Sequence, residues 1–101
     1  MKRVVFSPEA VKDLDEIWAY IAEDSVDAAE RMIRRIEENI DQLAQMPGMG
    51  HKREDLTSYP LLFWPVGSYL IIYWQDSRPL RIVAIVRGSR DIPVFIHKRL
   101  D

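Results

Sequence analysis

Apolar residues in the first half of the chain repeat at helical spacing in two segments. In the first segment, five residues recur at steps of three and four: Val11, Leu14, Ile17, Trp18 and Ile21. This spacing predicts a helix over residues 8 to about 22 with these side chains in the core. The charged residues between them are expected to face solvent: Lys12, Asp13, Asp15 and Glu16. Ser7 and Pro8 suit the N-cap and the first helical position.

The second segment predicts another helix that begins near Val26, with Ser25 or Asp24 as its cap. Its apolar face carries six residues: Ala29, Met32, Ile33, Ile36, Ile40 and Leu43. The run from Met46 to Gly50 ends the helix, because it contains a proline and two glycines. The two helices should form an antiparallel hairpin, with Trp18 and Tyr20 in the core and the hairpin seam.

Four shorter segments carry the β-branched and aromatic residues that are typical of strands. They are residues 3–6, 61–64, 69–74 and 80–87. Connections of hairpin length separate the last three, which predicts antiparallel neighbours. Residues 69–74 are apolar or aromatic at every position, so we expect a central strand covered by the helices on one face. We expect the other face to be covered as well, and a partner chain could be what covers it.

The end of the chain predicts a short helix, with Asp91 as its cap and Ile92, Ile96 and Leu100 at four-residue steps. The order of elements is therefore β-α-α-β-β-β-α. We predict an α+β fold in which an N-terminal strand and a helical hairpin pack on a mainly antiparallel four-stranded sheet. Residues 1–101 should form a single domain.

Composition excludes several kinds of chemistry. The chain is 48% apolar and 30% charged, as expected of a folded protein, and its lack of cysteine excludes disulfides and Cys-ligated metals. His51 and His97 lie far apart and outside any ligand spacing, so no metal site or cofactor is expected. No signal-peptide core or membrane-spanning run is present, which favours a cytoplasmic protein.

Charge is distributed unevenly along the chain. The formal net charge is −2, with thirteen acidic and eight basic residues up to Asp55 and three acidic and six basic residues after it. The acidic half argues against direct, specific DNA binding. The basic half suits an acidic partner or a phosphate backbone, although an ordinary solvated surface would have the same composition.

Arg87 and Arg90 are the strongest candidate functional residues, because both lie at the end of the last strand, just before the terminal helix. There, two guanidinium groups could bind carboxylates of a partner, with Lys98 and Arg99 adding positive charge. The alternative for Arg90 is a salt bridge with Asp91 or with the hairpin.

The sequence leaves more than one role open for three aromatic residues and one histidine. Phe63, Trp64 and Trp74 could be interface anchors or core residues. His97 has a side chain suited to proton transfer, but a surface position without a catalytic partner is the favoured interpretation.

Several strings in the chain resemble the RelE/ParE toxin superfamily. In the first half these are Ser7-Pro8-Glu9-Ala10, Asp13-Leu14 with Ile17, Tyr20-Ile21-Ala22, and Ile40 and Leu43 before Pro47-Gly48-Met49-Gly50. The more specific match is C-terminal. Residues 66–73 followed by 82–93, which contain Arg87-Gly88-Ser89-Arg90-Asp91, look like the paired strands and closing motif of the ParE-like branch.

The resemblance to ParE-like proteins implies a toxin of a type II toxin-antitoxin system that inhibits DNA gyrase and is neutralised by a ParD-like antitoxin. A homodimer, or a heterotetramer with the antitoxin, is compatible with it. Resemblance to the RelE branch would instead imply a ribosome-dependent mRNA endonuclease, for which Arg81, Arg87, Arg90 and His97 are the candidate catalytic residues.

Two departures disfavour the endonuclease. Leu70 stands where such nucleases often have arginine, and no tyrosine follows Arg90. A third hypothesis is a nontoxic antitoxin-binding module, since the net charge is acidic whereas many relatives are basic.

Overall fold

Helices and strands follow one another in the predicted order in the computed structural model of the chain, which describes residues 4–76 and 78–101. The strands are β1 (Val4–Phe6), β2 (Leu61–Val66), β3 (Tyr69–Trp74) and β4 (Leu80–Arg87). The helices are α1 (Pro8–Ala22), α2 (Val26–Gln45) and α3 (Ile92–Leu100), and a 3-10 turn spans Pro47–Met49. Arg3, expected in the first strand, lies outside the described residues.

Side-chain caps fix where the three helices begin. Ser7 Oγ accepts from the Ala10 amide at 3.0 Å, and Ser25 Oγ accepts from the Ala28 amide at 3.1 Å. Asp91 Oδ1 accepts from the amide of Val94 at 3.3 Å. Each bond satisfies an amide that has no partner within its helix. The predicted caps Ser7 and Asp91 are confirmed, and Ser25 rather than Asp24 caps the second helix.

The strands form one sheet in the order β1-β4-β3-β2. β1 is parallel to β4, and the other two pairings are antiparallel, which confirms the mainly antiparallel sheet. β2 is longer than expected and includes Pro65 and Val66. Proline is tolerated there because β2 is an edge strand. The turn to β3 is correspondingly tight and contains Gly67, whose φ of 58° favours glycine.

Each face of the sheet carries its own core. The hairpin α1–α2 covers one face, where buried residues such as Ile36, Ile71 and Tyr73 meet. α3 covers the other face and packs Ile92 and Ile96 against the remaining sheet residues. The expectation that β3 is covered on both faces is confirmed, and the second cover comes from the chain's own C-terminal helix.

A β-bulge in β4 explains its unbroken apolar run. Ile72 pairs with Ala84 but Tyr73 pairs with Ile82, so Val83 is an additional residue on β4. Ile82 and Ile85 consequently both belong to the hairpin-side core, three positions apart, while Val83 belongs to the other. The extra residue reverses the alternation of side chains along the strand.

The orientation of α1 corrects four expectations. Val11, Trp18 and Tyr20 are 47%, 38% and 57% exposed, although the apolar pattern placed them in the core or the seam. Asp13, expected in solvent, is only 8% exposed. α1 turns the line of Ala10, Asp13 and Ile17 inward, because Asp13 hydrogen-bonds to an otherwise unpaired edge of the sheet.

α2 is the longest helix, at 20 residues. It has a strongly polar side, and among the described residues no helix combines the length and apolar character needed to cross a membrane.

Candidate functional site

β4 has an edge that β1 covers only in part. β1 pairs with Leu80 to Ile82. Beyond Ile82, side chains rather than a neighbouring strand hydrogen-bond to the backbone at this edge of β4. Asp13 Oδ2 accepts from the Ile85 amide at 3.0 Å. The carbonyl of the bulged residue Val83 accepts from Arg99 Nη1 at 2.9 Å and from Ser7 Oγ at 3.2 Å. These bonds satisfy backbone groups that would otherwise be buried without partners.

The ion pair between Asp13 and Arg99 joins α3 to α1 at this edge. Arg99 Nη1 and Nη2 donate to Asp13 Oδ2 and Oδ1, both at 3.0 Å, in the bidentate geometry typical of arginine and carboxylate. The two side chains are 16% and 10% exposed. Arg99, proposed from the sequence as a partner-binding residue, is thus engaged in an ion pair within the chain.

Arg87 and Arg90 lie nearby in a different environment. The Arg87 guanidinium stacks over the Tyr20 ring, 4.3 Å from its centroid, and Arg90 lies 5.1 Å from the Phe95 centroid. Hydrogen bonds with the hydroxyls of Tyr20 and Tyr69 raise the pKa of Arg87. In the described part of the chain, neither arginine forms an ion pair, so the salt bridge considered for Arg90 is not formed.

A groove separates α1 from the end of β4 and the start of α3, and we call it the edge groove. Its volume is about 300 Å³. Buried Ile17, Ile85 and Val86 contribute to its lining, together with the exposed side chains of Glu16, Tyr20, Arg87 and Arg90 and the half-buried Phe95. Exposed Lys98 lines an adjoining depression with Arg90 and Phe95, so positive charge continues along α3. The site is therefore apolar at its base and cationic at its rim.

The four residues of the candidate endonuclease site do not come together. Arg81 lies six residues before Arg87 on the same strand, which corresponds to roughly 20 Å at about 3.3 Å per residue. It stacks near Trp74 on the α3 side, 5.6 Å from the ring centroid, whereas Arg87 meets Tyr20 on the hairpin side. His97 is 73% exposed and contacts Asp101, its neighbour one helical turn later.

The three candidate aromatic anchors are also dispersed. Phe63 is 2% exposed and belongs to the α3-side core. Trp64 lies on the hairpin side, where its indole N–H donates to Asn39 Oδ1 at 2.9 Å and its ring stacks on His51. Trp74 is half-buried on the α3 side and contacts Tyr59 edge to face. None of the three lines the edge groove.

Sequence reasoning missed Asp13, Tyr20, Tyr69 and Phe95 as contributors to this site. Only Asp13 carried a usable signal, since it lies three residues after Ala10 and four before Ile17 on one helical line. A charged residue in that position indicates either a break in the apolar face or a buried ion pair. The other three depend on contacts between distant segments.

No candidate metal centre emerges from residues 4–76 and 78–101, where no three histidine, aspartate or glutamate side chains come together to hold an ion.

Comparison with known proteins gives a consistent result. The family model described as the ParE toxin of type II toxin-antitoxin system, parDE, matches residues 4–92. A curated protein of Sinorhizobium fredii (strain NBRC 101917 / NGR234), named "Putative toxin Y4kP", is 33% identical over 92 residues, covering 91% of this chain and 94% of its own.

Among solved structures, a chain of the "Chromosomal ParDE TA system from P. aeruginosa" superposes with a TM-score of 0.70. The match covers 86% of this chain and 96% of that chain, at 19% identity. At this level of identity, the likeness shows a shared fold.

Proposed function

This chain belongs to the ParE toxin family of type II toxin-antitoxin systems, and from that premise we propose that it inhibits DNA gyrase and is neutralised by a small ParD-like antitoxin. The protein acts in the cytoplasm as a single domain. It works by binding a larger target, without catalysis of its own.

The pair of arginines at the edge groove is the observation that carries this proposal. Arg87 and Arg90 are exposed and supported by aromatic rings, and neither has a carboxylate partner in the described chain. A guanidinium group held in this way can donate two parallel hydrogen bonds to a carboxylate of another protein. The arrangement supports binding of an acidic surface.

The alternative of an mRNA endonuclease receives less support. Cleavage by the RNA's own 2′-hydroxyl needs a base, an acid and cations placed around one phosphate. Here Arg81 lies at the other end of β4 from Arg87, and the His97 imidazole contacts Asp101. The candidate groups therefore do not surround a common point.

An antitoxin partner is supported by the same surface. The P. aeruginosa chain of similar fold comes from a ParDE toxin-antitoxin system. We expect the neighbouring reading frame to encode a small protein with an acidic, amphipathic C-terminal segment that folds onto this chain.

Induced expression in a bacterial host without antitoxin tests the proposal. We expect growth arrest with filamentation and SOS induction, together with loss of supercoiling by purified gyrase. The Arg87→Gln/Arg90→Gln variant should relieve both effects, whereas Arg34→Gln, which removes an exposed charge from α2, should not.

Other outcomes identify the alternatives. Arrest with collapsed translation and cut mRNA, with gyrase unaffected, would replace gyrase inhibition by endonuclease activity. Absence of arrest, with antitoxin binding intact, would identify a nontoxic binding module.

A further inference from the structure

Ser89 lies exposed between the two arginines at the rim of the edge groove. We propose that Ser89 is a phosphorylation site, and that its phosphoryl group pairs with Arg87 and Arg90 and so blocks the surface that they form. The modifying enzyme would be a serine kinase that accepts basic residues on both sides of its target. The consequence for activity rests on the proposed function, whereas the site itself does not.

A β-turn sets the two arginines on either side of the serine. The amide of Arg90 donates to the carbonyl of Arg87 at 3.1 Å, so Ser89 occupies the third position of a four-residue turn. The Cα atoms at the two ends of such a turn lie within about 7 Å of each other. The amide of Gly88 donates to the Ser68 carbonyl at 2.8 Å, which ties the turn to the β2–β3 hairpin. A charge on Ser89 is therefore within reach of both long side chains.

The Ser89 hydroxyl is accessible to a modifying enzyme. Its side chain is exposed, and no other described residue hydrogen-bonds to this hydroxyl. The hydroxyls of Ser7 and Ser25, in contrast, accept backbone amides as helix caps. Ser58 and Ser68 are exposed as well, but among the serines that the structure describes only Ser89 has arginine within two positions. The basic residues at positions 87 and 90 therefore distinguish this serine from the others.

An open depression beside the turn has room for a phosphoryl group. Its volume is about 640 Å³, and Ser89 lines it together with Ser68 and Arg87. Arg53 also lines it, but its guanidinium donates to both carboxylate oxygens of Asp55, at 2.9 Å and 2.7 Å. Within the described chain, Arg87 is thus the arginine of this depression that forms no ion pair with a carboxylate.

Arg87 links the depression to the edge groove, because it lines both. In the unmodified chain its guanidinium lies over the Tyr20 ring, 4.3 Å from the centroid. A phosphoserine carries a charge of about −1.5 to −2 at pH 7 and three strong acceptor oxygens. Hydrogen bonds between arginine and phosphate are roughly twice as strong as those between neutral groups. The phosphoryl group should therefore draw Arg87 from the ring and occupy donors that a partner's carboxylates would otherwise use.

The nearby acidic groups leave this pairing favourable. Asp91 is the one carboxylate in the segment 87–91, and it accepts from the Val94 amide at 3.3 Å as the cap of α3. Glu16 lines the edge groove but not the depression. A phosphoryl group on the turn therefore has two guanidinium groups beside it and one carboxylate that is engaged in capping.

The transfer is an in-line displacement at phosphorus. The Ser89 Oγ forms a bond to the γ-phosphorus of a nucleoside triphosphate as the bond from that phosphorus to the β-phosphate oxygen breaks. The nucleoside diphosphate leaves, and the hydroxyl proton passes to a carboxylate of the kinase. The step involves no oxidation or reduction.

The first experiment asks whether Ser89 is modified. The full-length chain is incubated with an extract of the bacterium that encodes it and with ATP labelled at the γ-phosphate. We expect label on the wild type, no label on Ser89→Ala, and full label on the matched variant Ser58→Ala, which removes another exposed serine. A wild type that stays unlabelled, or label that persists in Ser89→Ala, would overturn the proposal.

The second experiment asks whether the arginines bind the phosphoryl group. Phosphoserine is incorporated at position 89 during translation, and its phosphorus NMR signal is followed as the pH changes. Pairing with arginine favours the dianion, so the second pKa of the phosphoserine should lie below its ordinary value of about 6. Arg87→Gln/Arg90→Gln should raise this pKa to that of a short phosphoserine peptide, and Arg34→Gln should leave it lowered. The same titration in all three proteins would contradict the pairing.

The consequence for function is measured separately. With phosphoserine at position 89, the concentration of the chain that half-inhibits gyrase should rise at least about tenfold. Phosphoserine at position 58 is the control and should leave that concentration unchanged. Full inhibition by the chain phosphorylated at position 89 would overturn the blocking role. If the unmodified chain does not inhibit gyrase, the proposed function fails, and labelling and titration still decide the site.

Discussion

Arg99 and the pair Arg87 and Arg90 have the same side chain and lie within thirteen residues of one another, but in the described chain only Arg99 has a carboxylate among its contacts. Arg99 is largely buried and makes a bidentate pair with Asp13. Arg87 and Arg90 are exposed and lie over the rings of Tyr20 and Phe95, and the Arg99 guanidinium also lies 4.7 Å from the Phe95 centroid. The comparison teaches that an internal carboxylate commits an arginine to the fold, whereas an exposed arginine without one keeps hydrogen-bond donors accessible to a partner, whether or not a ring lies beneath it.

The largest expected effect is that of Arg99→Ala on stability. Removing one member of a buried ion pair leaves the other charge unpaired and typically costs about 3–5 kcal/mol. We expect the free energy of unfolding to fall by this order in urea denaturation. Arg90→Ala, which removes an exposed arginine just before α3, is the control. A loss of stability in Arg99→Ala no larger than that in Arg90→Ala would contradict the distinction between the two kinds of arginine.

A double variant sharpens this result. Asp13→Leu/Arg99→Met removes both charges and should lose less stability than the sum of Asp13→Leu and Arg99→Met, because no unpaired charge remains. Additive losses would show that the two side chains act independently.

Two tyrosines extend the comparison to neutral groups. The Tyr73 hydroxyl is buried, accepts from the Gly50 amide at 2.9 Å and donates to the Pro47 carbonyl. Its removal leaves buried groups unpaired, so Tyr73→Phe should cost about 1–3 kcal/mol by urea denaturation. Tyr20→Phe, at a 57% exposed position, is the control, and we expect its cost to be within about 0.5 kcal/mol.

Alkaline pH provides an independent test of the same tyrosine. Burial raises the pKa of Tyr73 above its ordinary value of about 10, so the unfolded chain loses this proton at lower pH than the native chain. The stability contributed by Tyr73 should be fully present below about pH 10 and decline as the pH rises through the folded-state pKa. The stability difference between the wild type and Tyr73→Phe should therefore shrink above that pH, while a constant difference would contradict the assignment.

The smallest expected effect on stability belongs to the rim arginines. Arg87→Gln and Arg90→Gln should each change the free energy of unfolding by less than about 0.5 kcal/mol, because each removes an exposed charge, its contact with a ring and, for Arg87, hydrogen bonds with two tyrosine hydroxyls made at the surface. The same variants should nevertheless lose growth inhibition in the induced-expression assay. Loss of toxicity together with a large loss of stability would assign these arginines to the fold, like Arg99.

Much of the local structure was predictable because the forces behind it act over a few residues. Helical periodicity, the caps at Ser7 and Asp91, and the helix-ending run at Met46 to Gly50 are all encoded in neighbouring positions. The β-bulge at Val83 was not predictable in this way. A continuous apolar run such as 82–86 does not reveal which residues face which side until the partner strand is known.

The candidate site was predictable only in part. Arg87 and Arg90 were identified from their position at the end of the last strand, just before the terminal helix, and both line the edge groove. Arg99 was also a candidate binding residue from the sequence, but it lies in an ion pair with Asp13, which is 86 positions away. Tyr20 was assigned to the core because Tyr20 and Trp18 belong to an apolar segment, and its contact with Arg87 spans most of the chain.

The sequence by itself determined the order of the elements, the helix limits, the α+β class and the likeness to a toxin family, because local propensities, caps and motifs decide these features. Only the tertiary structure decided which side of α1 faces inward, that α3 covers the second face of the sheet, and which arginines remain accessible. Those outcomes depend on the short β1, whose end leaves part of the β4 edge unpaired. Satisfying that edge brings Asp13 and Arg99 together, and the groove beside it follows from their packing.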